Sequence, residues 1–451
     1  MQITNLQNYR VAVVGYGIEG RASLDYLFSI GTKTVALFDV NPSTDILPDH
    51  QQQLSDSECG SRWLERLSDY DIIIKSPGIP LHSFPQPLTS RLTSGTNIFL
   101  SQYRDKTIGI TGTKGKSTTA SLISHLLSAA GVSNRLIGNI GTPALSAAGN
   151  NVEAFVLELS SYQLELADIS PQGAVLLNLY PEHLDHHGSV DQYFSAKHNI
   201  HRHQIPGDFL VTPKSLHLEN PLLQNRRATT RLVGAQDSTA WIQDDTIMYR
   251  DVSKKTHQLC PANATLIKGP GNQQNILSAL AAIQHFEVPP PTLRDAICSF
   301  QPLPHRLEPI ETTGAIRFIN DSISTIPEST VNALETYKGS VHTLILGGFD
   351  RGVAFDKLVA YILESNVRVI LLLSPSGERI KEEFLNNKAF NPENTKLLSV
   401  SSLEEAVNQA KVATPDGKVC LLSPASPSFP TFKNFEERGR LFRRLIQETS
   451  R

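Results

Sequence analysis

Lys116, Ser117 and Thr118 follow the glycine turn Gly112-Thr113-Lys114-Gly115. An ammonium and two hydroxyls behind such a turn suit a nucleoside triphosphate, with Lys116 on the terminal phosphates and Ser117 or Thr118 on Mg²⁺. Glu158 ends the apolar run Ala154-Phe155-Val156-Leu157. A carboxylate carried into such a strand is costly unless it is paired or metal-bound. Mg²⁺ is one partner for it, and a core arginine or lysine is the other. His183 and His187 stand four apart, with His198, His201 and His203 downstream. That spacing suits zinc on a helix, but Pro181 and Gly188 bracket the pair and leave little room for one. A single functional His183 is the expectation.

Each of these groups needs an element to aim it. Residues 107–110 are expected to form a buried strand, and Leu122, Ile123, Leu126 and Leu127 the apolar face of a helix. Strand, glycine turn and helix bring backbone N–H groups and the positive end of the helix dipole to the ligand. The turn departs from G-x-x-x-x-G-K-[ST], because Ile110 occupies the position five before Gly115. Residues 174–179 read as a further strand leading towards His183. The stretch 208–262 reads as polar and broken, with a hairpin over 241–249. Gly271-Asn272 opens an amphipathic helix through Ile283, with Asn272 as its N-cap.

The flanking segments repeat the strand–turn–helix theme. A strand over 9–14 precedes Gly15-Tyr16-Gly17-Ile18-Glu19-Gly20, a full G-x-G-x-x-G, with a helix over 22–28 and a strand over 34–38 ending in Asp39. NAD is the obvious ligand for such a Rossmann unit, but the glycines certify only a diphosphate at a helix N-terminus. Ser76-Pro77-Gly78 follows a strand over 71–75, at the end where open α/β sheets place ligands. Beyond Pro304, strands over 316–319, 343–346, 367–373 and 419–422 alternate with helices, the last over 432–446. The pattern predicts an α/β protein of three domains. These are a Rossmann-like domain over 1–103, a central P-loop ATPase-like domain over 104–303 and a second Rossmann-like domain over 304–451.

Bulk composition agrees with that division. A chain of 451 residues exceeds what one core supports. A net charge of −3, with 19% charged residues, gives no footprint for nucleic acid or a membrane surface. The 4 cysteines form no C-x-x-C, which fits a reducing cytoplasm and argues against a disulfide scaffold. No signal peptide is expected, and no apolar run approaches membrane-spanning length.

Taken together, GITGTKGKST (109–118), LELSSYQLE (157–165), NLYPEHLDHHGS (178–189), YFSAKHNI (193–200), PLPHRLE (302–308), NDSIST (320–325) and LLSPASPSFPTFKNFEERG (421–439) resemble the Mur ligase family, within it the glutamate-adding branch. They span almost the whole chain in family order, and the family's TGT-x-GK-[ST] loop accounts for the irregular turn. The resemblance implies an ATP-dependent, ADP-forming ligase of cytoplasmic peptidoglycan-precursor synthesis, acting as a monomer. It would join glutamate to UDP-MurNAc-L-Ala (UDP-N-acetylmuramoyl-L-alanine) through an acyl phosphate.

Residue roles are implied with it. Gly112, Thr113, Lys114, Gly115, Lys116, Ser117 and Thr118 would cradle the ATP phosphates, Asn272 would face adenine, and Arg306 and Asp321 would reach over ATP. Two Mg²⁺ sites are implied, one on Ser117 and Glu158 and one that His183 helps to hold, with Lys197 carried as a carbamate. Lys116, His183 and Lys197 are thereby the catalytic candidates. Gly17, Ile18, Asp39, Ser76, Gly78 and Asn139 would line the UDP-sugar, so the glycine fingerprint would hold a uridine diphosphate and not NAD. Thr325, Arg351, Ser428 and Phe432 would meet glutamate.

The sequence also departs from the family pattern. Gly271 stands where a histidine is usual, Asn320-Asp321-Ser322-Ile323 replaces Asn-Asp-Ser-Lys, and Arg351 replaces a lysine. Isoleucine supplies no charge, and arginine differs from lysine in geometry. D-glutamate is the family default, while these departures resemble a variant branch that attaches L-glutamate. Another Mur-type ligase or a folylpolyglutamate synthase would share the ATP core. An NAD-binding protein would leave Lys116, Glu158 and Lys197 unexplained.

Overall fold

The computed structural model describes residues 5–224 and 227–448. The chain divides into two compact units. One runs to Thr265 and includes Asn272–Phe300; the other takes Leu266–Gly271 and the chain from Gln301 on.

The first unit contains two sheets. Five parallel strands run in the order Asp56–Cys59, Thr34–Asp39, Arg10–Val14, Ile72–Lys75, Leu92–Thr93. The inner three are apolar on both faces, as parallel strands covered on both sides must be. The helix after Arg10–Val14 spans Ile18–Ser29, so it begins directly on the glycine turn and not at residue 22.

The second sheet has nine strands. Their order is Thr256–Pro261, Thr246–Arg250, Ala240–Gln243, Thr229–Val233, Phe209–Pro213, Gly173–Leu176, Thr107–Thr111, Ala154–Glu158, Asn134–Gly138. Thr107–Thr111 is fully buried between two parallel neighbours, which fixes the end from which Gly112 departs. The stretch 208–262 is therefore not broken. It supplies five strands, and exposed polar positions in Thr229–Val233 and Thr256–Pro261 masked them as strands. The expected hairpin forms between Ala240–Gln243 and Thr246–Arg250. It turns at Asp244 and Asp245, with φ of 47° and 58°, a conformation that short polar side chains tolerate. Gly173–Leu176 stops short of the expected residue 179, and irregular chain carries on to His183. One core joins the two sheets, holding Leu24 and Phe99 together with Phe155 and Leu157.

The second unit is built on six strands in the order Glu308–Ile310, Arg317–Asn320, Val419–Leu422, Val341–Gly347, Val369–Leu373, Lys396–Val400. All pair in parallel except the edge strand Glu308–Ile310. Alternate residues feed separate cores, Leu344, Leu346 and Leu421 on one face and Ile345, Cys420 and Leu422 on the other. The final helix is Phe435–Glu448 and begins later than residue 432. Asn434 sets that start, since its Oδ1 accepts from Glu437 N at 2.9 Å while the Glu437 carboxylate accepts from Lys433 N.

Candidate active site

The phosphate loop is held from both sides. Gly115 has φ +85°, and a Cβ there would come within 2.3 Å of Asn275 Oδ1, so only glycine fits. The helix Lys116–Ala129 starts at once after it with no side-chain cap, leaving backbone N–H groups for an anion. Asn178 Oδ1 accepts from Lys114 N at 2.8 Å, and Thr113 Oγ1 donates to Tyr180 O at 3.0 Å. Lys116 Nζ donates to Gly112 O at 3.0 Å and Thr113 O at 3.1 Å, which places the ammonium over the loop.

Glu158 is fully buried at the end of Ala154–Glu158. Its Oε1 accepts from Asn139 Nδ2 at 2.8 Å, and its Oε2 has no hydrogen-bond partner among the described residues. No arginine or lysine pairs with it among those residues. The Oγ1 of Thr118 is also buried and unpartnered. Unmatched oxygen ligands beside a phosphate loop suit a hard cation, so the residues present fit Mg²⁺.

Lys197, on the helix Val190–Arg202, is buried beside this loop. Its Nζ donates to Gly112 O at 2.9 Å and lies 4.8 Å from the Tyr193 ring centroid. Burial, and then the ammonium of Lys116, hold its amine well below the usual lysine range. Lys114 pairs with Glu182 at 2.9 Å. Burial pushes the Glu182 carboxyl up, but Lys114 outweighs it and the group stays below the ordinary range. His183 takes a left-handed φ of 57°, with its ring 5.1 Å from that of Tyr162 and 6.1 Å from that of Tyr193. The helix Leu184–His187 is one turn long, and His187 closes it. Its Nε2 lies 3.0 Å from Ser161 Oγ.

The five-stranded sheet brings its own candidates to the same unit. Gly17 precedes Ile18–Ser29 without a side-chain cap, and a Cβ there would meet nothing, so this helix start is open too. Ile18 beside it is 76% exposed. Asp39 accepts from Tyr16 N at 2.6 Å and Asn41 N at 2.8 Å, which braces the glycine turn. Ser76 Oγ donates to Gly15 O at 2.9 Å. The turn Ser76-Pro77-Gly78 is gathered by buried Lys75, whose Nζ donates to Ile79 O at 2.6 Å and lies 3.1 Å from Glu165 Oε2. That pair links the turn to the LELSSYQLE segment. Sequence reasoning overlooked Lys75 and Glu165, although Lys75 closes the run Ile72-Ile73-Ile74 just as Glu158 closes its own.

Asn272 is not an N-cap. The helix Pro270–Ala282 begins before it, and its Oδ1 accepts from Asn275 Nδ2 at 3.1 Å. Since Asn275 abuts Gly115, Asn272 stands next to the phosphate loop.

In the second unit, Asp321 is buried and accepts from Ser324 Oγ at 2.5 Å, Ser423 Oγ at 2.8 Å and Leu307 N at 3.2 Å. Burial raises its carboxyl to about 6, with these hydrogen bonds and then Arg306 opposing the rise. Arg438 is buried and donates to Ser322 O at 2.8 Å and Ser426 O at 3.1 Å, tying the turn after Arg317–Asn320 to the SPASPS loop. Phe349 N donates to Pro427 O at 2.9 Å, and Phe432 N to Ser428 O at 3.0 Å, so Arg351, Ser428 and Phe432 sit on adjoining loops. The Arg351 guanidinium lies 5.7 Å from the Phe429 ring centroid. Thr325 lies on the turn ahead of the helix Pro327–Thr336.

Known proteins resemble this chain. The Mur ligase middle domain matches residues 110–283. UDP-N-acetylmuramoylalanine--D-glutamate ligase of Symbiobacterium thermophilum is 33% identical over 98% of both chains. UDP-N-acetylmuramoyl-L-alanine--L-glutamate ligase of Salinispora tropica is also 33% identical, over 100% of both. The crystal structure of a MurF ligase from Thermotoga maritima in complex with ADP superposes with a TM-score of 0.60 at 17% identity, covering 99% of this chain and 100% of that one, a likeness of fold. With relatives this similar over the full length of both chains, the protein belongs to the Mur ligase family, in its glutamate-adding branch.

Proposed function

We propose that this chain joins glutamate to the L-alanyl carboxylate of UDP-MurNAc-L-Ala, converting ATP to ADP and phosphate by way of an acyl phosphate. The observation that carries the reading is the convergence of Lys116, Lys197 and the unmatched Glu158 oxygen around one phosphate loop. Lys116 would lie against the transferring phosphoryl group and offset its charge, which is most of the catalysis such a step offers. Ser117, Glu158, His183 and the carbamate of Lys197 would hold two Mg²⁺ ions, which supply charge neutralisation at the phosphates and the reacting carboxylate. The neutral Lys197 amine adds to CO₂, forming an N–C bond and releasing one proton. The carbamate nitrogen keeps an N–H for Gly112 O and gains a carboxylate whose two oxygens share one negative charge.

In this reading Asn272, Arg306 and Asp321 serve ATP. Gly17, Ile18, Asp39, Ser76, Gly78 and Asn139 serve the UDP-sugar, and Thr325, Arg351, Ser428 and Phe432 serve glutamate. Residues 1–103, 104–303 and 304–451 are the corresponding domains, and the protein works as a cytoplasmic monomer. No described helix is long and apolar enough to cross a membrane.

D-glutamate is the amino acid by family default. A specific observation favours L-glutamate as a second reading: Ile323 removes one cation from the glutamate region, and the guanidinium that replaces the other lies near the ring of Phe429. ADP release that requires both UDP-MurNAc-L-Ala and glutamate tests the function, and parallel reactions with each enantiomer test the choice.

A further inference from the structure

Glu165, His186 and His187 meet in the first unit. Glu165 follows the short helix Ser161–Leu164, and the histidines end the turn Leu184–His187. His186 Nε2 is 3.4 Å and His187 Nδ1 3.9 Å from Glu165 Oε1, and one ligand atom from each residue lies within 4.8 Å of the others. A tetrahedral ion with bonds of about 2.0–2.1 Å has ligand-to-ligand edges of roughly 3.3 Å, so small rotations close this cluster on a metal.

The side chains are oriented for it. The Nε2 of His187 faces Ser161 Oγ at 3.0 Å, which turns Nδ1 toward Glu165. Its ring stacks on Tyr162 at 5.5 Å and 16°, and the ring of His186 lies 4.2 Å from Tyr162. Lys75 Nζ lies 3.1 Å from Glu165 Oε2, holding the other oxygen toward the imidazoles. Such outer partners fix ligand direction in metal centres. Side-chain exposures of 11%, 7% and 2% for Glu165, His186 and His187 keep the cluster largely out of water.

We propose that Glu165, His186 and His187 form a site for one divalent transition ion, Zn²⁺ by its chemistry, separate from the Mg²⁺ positions. Two imidazoles and a carboxylate are the donors of open zinc sites, while Mg²⁺ prefers oxygen alone. The proposal does not depend on which amino acid the enzyme joins.

The test is titration of the full chain with Co²⁺ in millimolar Mg²⁺, followed by visible absorption. One equivalent should give the bands of a tetrahedral nitrogen and oxygen site, and one equivalent of Zn²⁺ should bleach them. His186→Gln and Glu165→Gln, each with unchanged circular dichroism, should weaken Co²⁺ binding at least about 10-fold. His183→Gln should leave the bands in place. The proposal is overturned if wild-type protein shows no such bands, or if they persist in His186→Gln. A sulfur-to-cobalt charge-transfer band, which would put the ion on cysteine sulfur, overturns it as well.

Discussion

Lys116 and Lys197 share one acceptor: their Nζ atoms lie 3.0 Å and 2.9 Å from the carbonyl oxygen of Gly112. Two ammonium groups so close, one of them buried, repel strongly at low dielectric. The arrangement is relieved when Lys197 is a neutral amine and relieved further when it is a carbamate. Protein equilibrated with ¹³C-bicarbonate should show one carbamate carbon resonance that Lys197→Ala lacks. Lys197→Arg, which keeps a permanent cation, should lower kcat at least about 100-fold, the scale of losing a group that organises transition-state charge. Wild-type kcat in Lys197→Arg would remove the carbamate from the account.

Lys116→Ala should bring ligation down by at least about 100-fold with native circular dichroism, because in the proposed reaction the ammonium meets the phosphoryl group and takes no part in the core. Ligation rate and far-ultraviolet dichroism measured on the same sample check both halves of that statement.

Gly115→Ala combines a left-handed φ with a Cβ 2.3 Å from Asn275 Oδ1. It should cost about 1–3 kcal/mol of stability and weaken ATP binding. Denaturant titration and calorimetric binding of ATP report the two effects. Retained stability together with retained ATP affinity would show that the loop does not need this conformation.

Lys75 and Glu165 form a largely buried pair, so removing one partner strands a charge. Lys75→Met should destabilise by about 3–5 kcal/mol. The double variant Lys75→Met with Glu165→Gln should lose less than the sum of the single changes. Chemical denaturation of the four proteins of this cycle gives the coupling, and additive losses would mean that the pair carries none.

Asp321 gives a pH signature. Its folded-state value of about 6 lies above the 3.8 of an ordinary aspartate, so between these values the native state binds more protons than the unfolded state. The contribution of Asp321 to stability therefore falls as pH rises through that window, by about 3 kcal/mol in all. Asp321→Asn should remove that part of the slope in stability measured from pH 4 to 6. An unchanged slope would mean that Asp321 does not titrate there.

What could be read from sequence was local in the chain. The phosphate loop, the glycine fingerprint and the strand Val419–Leu422 are contiguous patterns whose geometry follows from neighbouring residues. The five strands between Phe209 and Pro261 were hidden, because exposed polar side chains interrupt their apolar residues. The start of Phe435–Glu448 depended on the cap at Asn434 and not on periodicity. Lys75, Glu165 and His186 come from three separated segments, and no spacing rule reports a meeting of that kind. Glu158 was legible as a problem, a carboxylate in an apolar strand, while its one bound and one unmatched oxygen required the fold.

Product analysis with UDP-MurNAc-L-Ala, ATP, Mg²⁺ and isotope-labelled glutamate tests the central claim most directly. The account predicts label joined to the UDP-muropeptide, in step with ADP and phosphate, in reactions given D- or L-glutamate in parallel, with neither product formed when either the nucleotide sugar or glutamate is left out. ADP release without labelled product, or no turnover with either enantiomer, would contradict it.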